Sequence, residues 1–205
     1  MEWVESIWND MDSTWNPCGM WGQGKDLHGV VKSIVLFREM ATAALHNSGE
    51  LLDPPKCHPN TRLAVLSDIM KWVKWEGGLK SFIMWVYGPA GNGKSAIAQM
   101  IAKMCEEEMI LLATFFFARS DPQRNNDRKL ITTIAYQITF NLPSVRDAIN
   151  GAIEHDPSIF SKSLAVQLKY LIVEPLQPLI EAGFFNGPTS RHLVIIDGLD
   201  ECYNT

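Results

Sequence analysis

The chain has 205 residues, 46% of them apolar and 20% charged, with a formal net charge of −5. This composition suits a globular protein with one sizeable core, and it excludes a sequence-independent nucleic-acid binder, which needs a basic face. The longest apolar run, residues 110–118, is too short to span a membrane, no signal peptide is visible at the acidic start, and the four scattered cysteines read as reduced thiols, so a cytoplasmic protein is expected.

Residues 1–25 place Trp3, Trp8, Trp15 and Trp21 among Asn, Asp, Gly and Gln with no helical period. They read as a flexible tail, with a short homotypic-docking motif as the sharper alternative. Residues 26–46 carry apolar side chains at helical intervals and are expected to form an amphipathic helix ended by Asn47-Ser48-Gly49. Residues 51–60 are Pro-rich and extended. Asn60 or Thr61 is expected to cap a helix reaching about Trp75, with Leu63, Leu66, Ile69, Met70 and Val73 inward, before Gly77-Gly78 breaks it.

The apolar run Phe82-Ile83-Met84-Trp85-Val86-Tyr87 reads as a buried parallel strand. It leads into Gly88-Pro89-Ala90-Gly91-Asn92-Gly93-Lys94-Ser95, which fits G-x-x-x-x-G-K-[ST], the phosphate-cradling loop. The chemistry explains the spacing. Phosphate oxygens must approach the backbone closely, and side chains at the glycines would block that approach. The loop opens a helix through Ala96, whose N-terminus carries unpaired N–H groups and partial positive charge. Lys94 is expected to reach the β- and γ-phosphates, and Ser95 to offer its hydroxyl to Mg²⁺.

The Glu106-Glu107-Glu108 cluster reads as a solvated face. Residues 110–118 read as a second strand, apolar throughout. Arg119, at its carboxyl end, is a candidate to face nucleotide, the alternative being a surface salt bridge. Helices are expected from Asp127 to Leu142, from Ser144 to about Glu154, and from Ser161 or Ser163 to about Val173, with Pro175 and Pro178 as breaks. His155 reads as a helix-end residue.

Residues 193–196 form a β-branched apolar strand, and Asp197 follows at its carboxyl end, where open α/β sheets bind ligands. Asp197 is expected to meet the Mg²⁺ held by Ser95. Asp200 and Glu201 are the candidates to orient an attacking water.

The stretch from Tyr87 to Gln99 resembles the phosphate loop of NACHT-domain proteins, signal-transduction NTPases related to NOD-like receptors. Ile195-Ile-Asp-Gly-Leu-Asp-Glu201 is similar to their second acidic motif, with its small residue after the Mg²⁺-binding Asp. Phe115 to Pro122, Thr133 to Ile138 and Asp53 to Arg62 are similar to blocks of the large fungal group. The resemblance implies a P-loop NTPase α/β three-layer sandwich with a mainly parallel sheet, and a role in innate-immune signalling. It divides the chain into a tail (1–25), a helical region and linker (26–76) and a nucleotide-binding core (77–205). It also implies further strands, a γ-phosphate sensor and helical subdomains beyond residue 205, so nucleotide binding is expected of this chain and hydrolysis is expected to be slow or absent. In related ATPases the segment before the loop helps form the base pocket. Here that is Cys57 to Arg62, which serves either to contact adenine or only as a linker.

The expected function is an ATP-binding (or ADP-binding), Mg²⁺-dependent switch that self-associates or engages partner signalling domains, without nucleic acid or a membrane span. A non-hydrolysing scaffold is the alternative. A small-molecule P-loop kinase is disfavoured, since no second basic cluster marks an acceptor-phosphate site.

Overall fold

The computed structural model describes residues 35–49, 61–76, 81–187 and 191–203. The expectations for the Trp-bearing tail, for the first part of the 26–46 helix and for residues 51–60 fall outside these.

Residues 35–39 are helical, but the helix stops there instead of running to His46, and Thr42–Ala44 makes a 3-10 turn. The cause is tertiary. Thr132 Oγ1 donates to the carbonyl of Glu39 (3.0 Å), and the amide of Ala41 donates to Thr133 Oγ1 (2.9 Å). These bonds take over groups that a continuing helix would use itself.

Helix α1 (Leu63–Val73) buries Leu66, Ile69, Met70 and Val73, as its spacing predicts, while Leu63 is exposed. Its N-cap is Arg62, without a side-chain capping bond, rather than Asn60 or Thr61. Helix α2 (Lys94–Glu107) follows the Gly-rich loop and buries Ala96, Ile97, Ile101, Ala102 and Cys105. Its apolar face meets that of α1 in one cluster, joined by Leu111 and partly buried Leu193 and Ile195.

Strand β1 (Leu111–Phe116) is buried along its whole length and pairs in parallel with β2 (Leu193–Asp197), from Leu111 opposite Leu193 to Phe116 opposite Asp197. The chain is thus mixed α/β, with a two-stranded parallel sheet among the described residues. The full multi-stranded sandwich expected from the sequence is not what this part of the chain displays. Residues 82–87 correct the expectation of a buried strand. They have no regular secondary structure and join no ladder, and Phe82, Trp85 and Tyr87 are 82%, 67% and 84% exposed. An apolar run becomes a buried strand only where neighbouring strands and helices cover it. Here only Met84 of that run packs against the α1–α2 cluster. Among the described residues β2 pairs with β1 alone, and Val194 and Ile196 are each 40% exposed.

The other edge of β1 is closed by side chains. Helix α3 (Leu130–Asn141) lies along it. Gln137 Oε1 accepts from the amide of Thr114 (2.9 Å) while its Nε2 donates to the same residue's carbonyl (2.8 Å). One turn on, Asn141 Nδ2 donates to Leu112 O (2.8 Å), and Arg124 Nη1 reaches Phe116 O (3.2 Å). Side-chain amides thus do the work of a neighbouring strand.

Helix α4 (Arg146–His155), short α5 (Leu164–Leu168) and α6 (Glu174–Glu181) complete the second core cluster with Ile131, Ile134, Ile138, Ile149 and Leu171. Pro175 and Pro178 do not break the chain as expected. A π-turn at Lys169–Val173 precedes α6, so Pro175 falls in the first turn, where its missing N–H costs nothing.

Candidate functional site

The Gly-rich loop lies between the irregular residues 81–87 and α2. Gly91 and Gly93 have φ of 78° and 70°, a region that strains residues bearing a Cβ. Asn92 donates its amide to Pro89 O (3.4 Å), and Gly93 O accepts the amide of Ile97 (3.0 Å), the first hydrogen bond of the helix. Lys94 Nζ folds across the loop to Gly88 O (2.9 Å) and Pro89 O (3.2 Å).

β2 brings the acids to this loop. Ser95 and Asp197 line the same recess, and the Ser95 hydroxyl favours the ionised Asp197 carboxylate, so the two motifs, about a hundred residues apart in sequence, come together there. A recess of about 350 Å³ opens between them, lined by Ala90, Gly91, Gly93, Lys94, Ser95, Ala96, Asp197, Gly198, Asp200 and Glu201. A larger recess of about 460 Å³ lies by His46, Glu106 and His192, at the amino ends of the strands, and contains none of the motif residues.

Burial pushes the Asp197 carboxyl above the usual carboxylate range. Asp200 and Glu201 add to the shift, while the Ser95 hydroxyl and the amide of Gly198 oppose it. A desolvated carboxylate beside a hydroxyl is a donor set suited to a hard divalent cation such as Mg²⁺. Among the described residues no group of three or more acids, histidines or cysteines is arranged to hold a metal by itself.

Gly198 turns the chain away from β2 with φ of 73°. A Cβ there would lie 3.0 Å from Phe117 O and 3.3 Å from Phe117 Cβ, so the small residue after Asp197 is required by packing as well as by backbone conformation. The turn Leu199–Glu201 is then tied to β1: Glu201 Oε2 accepts the amide of Arg119 (2.9 Å), and Arg119 Nη2 donates to Asp200 O (3.0 Å). Arg119 also lies over the Tyr203 ring. Its side chain therefore holds the acidic turn in place.

Gly88 and Pro89 receive the lysine, Asn92 braces the loop, and the other loop residues line the recess with the acids. Arg62, expected near the base or in a linker, lies against the loop: its guanidinium is 3.5–3.7 Å from the position a Cβ would take on Gly93. Residues 57–60, grouped with it in the sequence reading, lie outside the described residues.

The family model described as nephrocystin 3, N-terminal, matches residues 63–205, which takes in the loop, β1 and the acidic turn. That match is loosely consistent with a NACHT-type chain. No curated protein and no solved structure matches the chain. On the extent of the family match, about seven-tenths of its length, the chain belongs to the nephrocystin 3 N-terminal family.

Proposed function

We propose that the chain is a NACHT-type signalling switch that binds ATP with Mg²⁺ in the recess between the Gly-rich loop and the acidic turn. The observation that carries this reading is that Lys94, Ser95 and Asp197 line one recess, with Lys94 spanning the Gly-rich loop. Lys94 leaves its loop carbonyls to take the β- and γ-phosphates as a mobile point charge. Ser95 and Asp197 hold the cation, which when bound neutralises charge on the phosphate oxygens. Asp200 or Glu201 orients water in any slow hydrolysis.

A titration with ATP, ADP and GTP, with and without Mg²⁺, tests the proposal. Mg²⁺-dependent binding of ATP and ADP supports it, and no binding of any of the three refutes it.

A second reading, a nucleotide-bound scaffold without turnover, is favoured by the bond from the Arg119 amide to Glu201, which gives that carboxylate a structural duty. Turnover separates the two. A rate on the order of 1 s⁻¹, abolished by Glu201→Gln or Asp200→Asn, supports a hydrolysing switch. A background rate with intact binding supports the scaffold.

A further inference from the structure

Arg62 stands in the left-handed region, at φ 59° and ψ 19°, and among the described residues only Trp75 and Met109 share a positive φ without being glycine. A long side chain gains nothing locally from that conformation. It caps no amide of α1, and among the described residues it forms no ion pair. What the conformation achieves is placement. Nη2, Cζ and Nε of the guanidinium lie 3.5, 3.6 and 3.7 Å from the Cβ position of Gly93, so the group lies broadside over the residue that immediately precedes Lys94. Arg62 stands beside the recess and not among the residues that line it, and strain held by surrounding structure next to such a site is a recognised mark of a functional residue.

Charge supplies the second argument. The recess sets three carboxylates, Asp197, Asp200 and Glu201, against the single cation Lys94. A polyphosphate bound there with one divalent ion adds further negative charge, and another cation at the loop lowers its energy. Arg119, the other arginine near the site, is occupied by Asp200 O and the Tyr203 ring. Among the described residues Arg62 has no such commitment, and a guanidinium offers a planar fork of donors suited to phosphate oxygens.

We infer that Arg62 is a phosphate-binding residue, the second cation of the cradle, rather than part of an adenine pocket. The inference rests on the nucleotide reading of the loop and names which part of the ligand this residue recognises. The glycine at position 93 permits a φ of 70°, and the guanidinium stands at ordinary contact distance from where its Cβ would be.

The test measures affinity for adenosine, AMP, ADP and ATP, with Mg²⁺, for the unaltered chain and for Arg62→Gln, Arg62→Lys and Arg62→Gly. Arg62→Gln is expected to weaken ATP and ADP by about tenfold or more, as loss of a charge-assisted contact does, with adenosine unchanged. Arg62→Lys should recover part of that loss. Arg62→Gly relieves the backbone strain, so it should be at least as stable to urea as the unaltered chain while binding ATP as poorly as Arg62→Gln. That pairing separates lost binding from lost folding. Equal weakening across the whole series, adenosine included, would assign Arg62 to the base and overturn the inference, as would unchanged ATP affinity in Arg62→Gln. If the unaltered chain binds none of the four, the nucleotide reading itself fails. If it binds ATP and only the Lys94→Ala variant loses it, the loop reading stands and the Arg62 inference falls.

Discussion

Gln137 pairs with both backbone groups of Thr114, accepting from its amide at 2.9 Å and donating to its carbonyl at 2.8 Å. Thr114 is fully buried, so nothing else can satisfy these groups when the amide is removed. Gln137→Ala is expected to cost about 2–6 kcal/mol, from two orphaned backbone groups at roughly 1–3 kcal/mol each. Gln137→Glu should also destabilise, since its second oxygen would face the Thr114 carbonyl. Urea denaturation of both variants checks this, and a loss below about 1 kcal/mol for each would show that the edge is held by other means.

Lys94→Ala should abolish most ATP affinity and leave the fold intact. The lysine's two bonds go to loop carbonyls in an exposed region, so water replaces it there without a cavity. A lost charge-assisted contact corresponds to at least about a tenfold weaker Kd. Calorimetric titration beside a thermal melt measures both halves of the prediction, and unchanged binding would remove the loop from the site.

Asp197→Asn should stabilise the ligand-free chain at neutral pH while removing the Mg²⁺ dependence of nucleotide binding. Burial raises the folded carboxyl above its ordinary value of 3.8, so unfolding at intermediate pH releases its proton. This contribution to stability is full below about pH 3.8 and is lost as pH rises through the folded value. At neutral pH the parent carries a desolvated carboxylate that Asn does not, and the Asn oxygen still accepts from Ser95. Stability measured from about pH 4 to pH 8 should therefore fall more steeply for the parent than for the variant. Parallel curves would contradict this assignment.

Gly198→Ala should destabilise and weaken ATP binding together. The left-handed φ alone costs an alanine about 1–2 kcal/mol, and a Cβ 3.0 Å from Phe117 O forces the strand end to move. Because Asp197 is the neighbouring residue, that movement displaces the carboxylate from Ser95. A variant with native stability and native affinity would show that the turn tolerates a side chain.

Helix α2 and the inward residues of α1 were legible in the sequence, because apolar spacing at 3.6 residues per turn is a local signal that packing reinforced. Asp197 was legible as a strand-end acid. What escaped the sequence depends on partners far along the chain. Gln137 reads as a surface position on a helix until a strand edge is placed against it. Phe82 to Tyr87 reads as buried because its composition is apolar, but burial is decided by what packs on it. Pro175 reads as a break because nothing local announces the π-turn ahead of it. Arg62 is hardest of all: arginine is disfavoured in the left-handed region, so no propensity points to its position over Gly93.

The side-chain closure along β1 gives the sheet a direction of growth. On that side the amide and carbonyl of Thr114 and the carbonyls of Leu112 and Phe116 are already taken, so no incoming strand can dock there without first displacing Gln137, Asn141 and Arg124. Among the described residues, the far edge of β2 is therefore the one margin of this sheet left for a further strand to pair with.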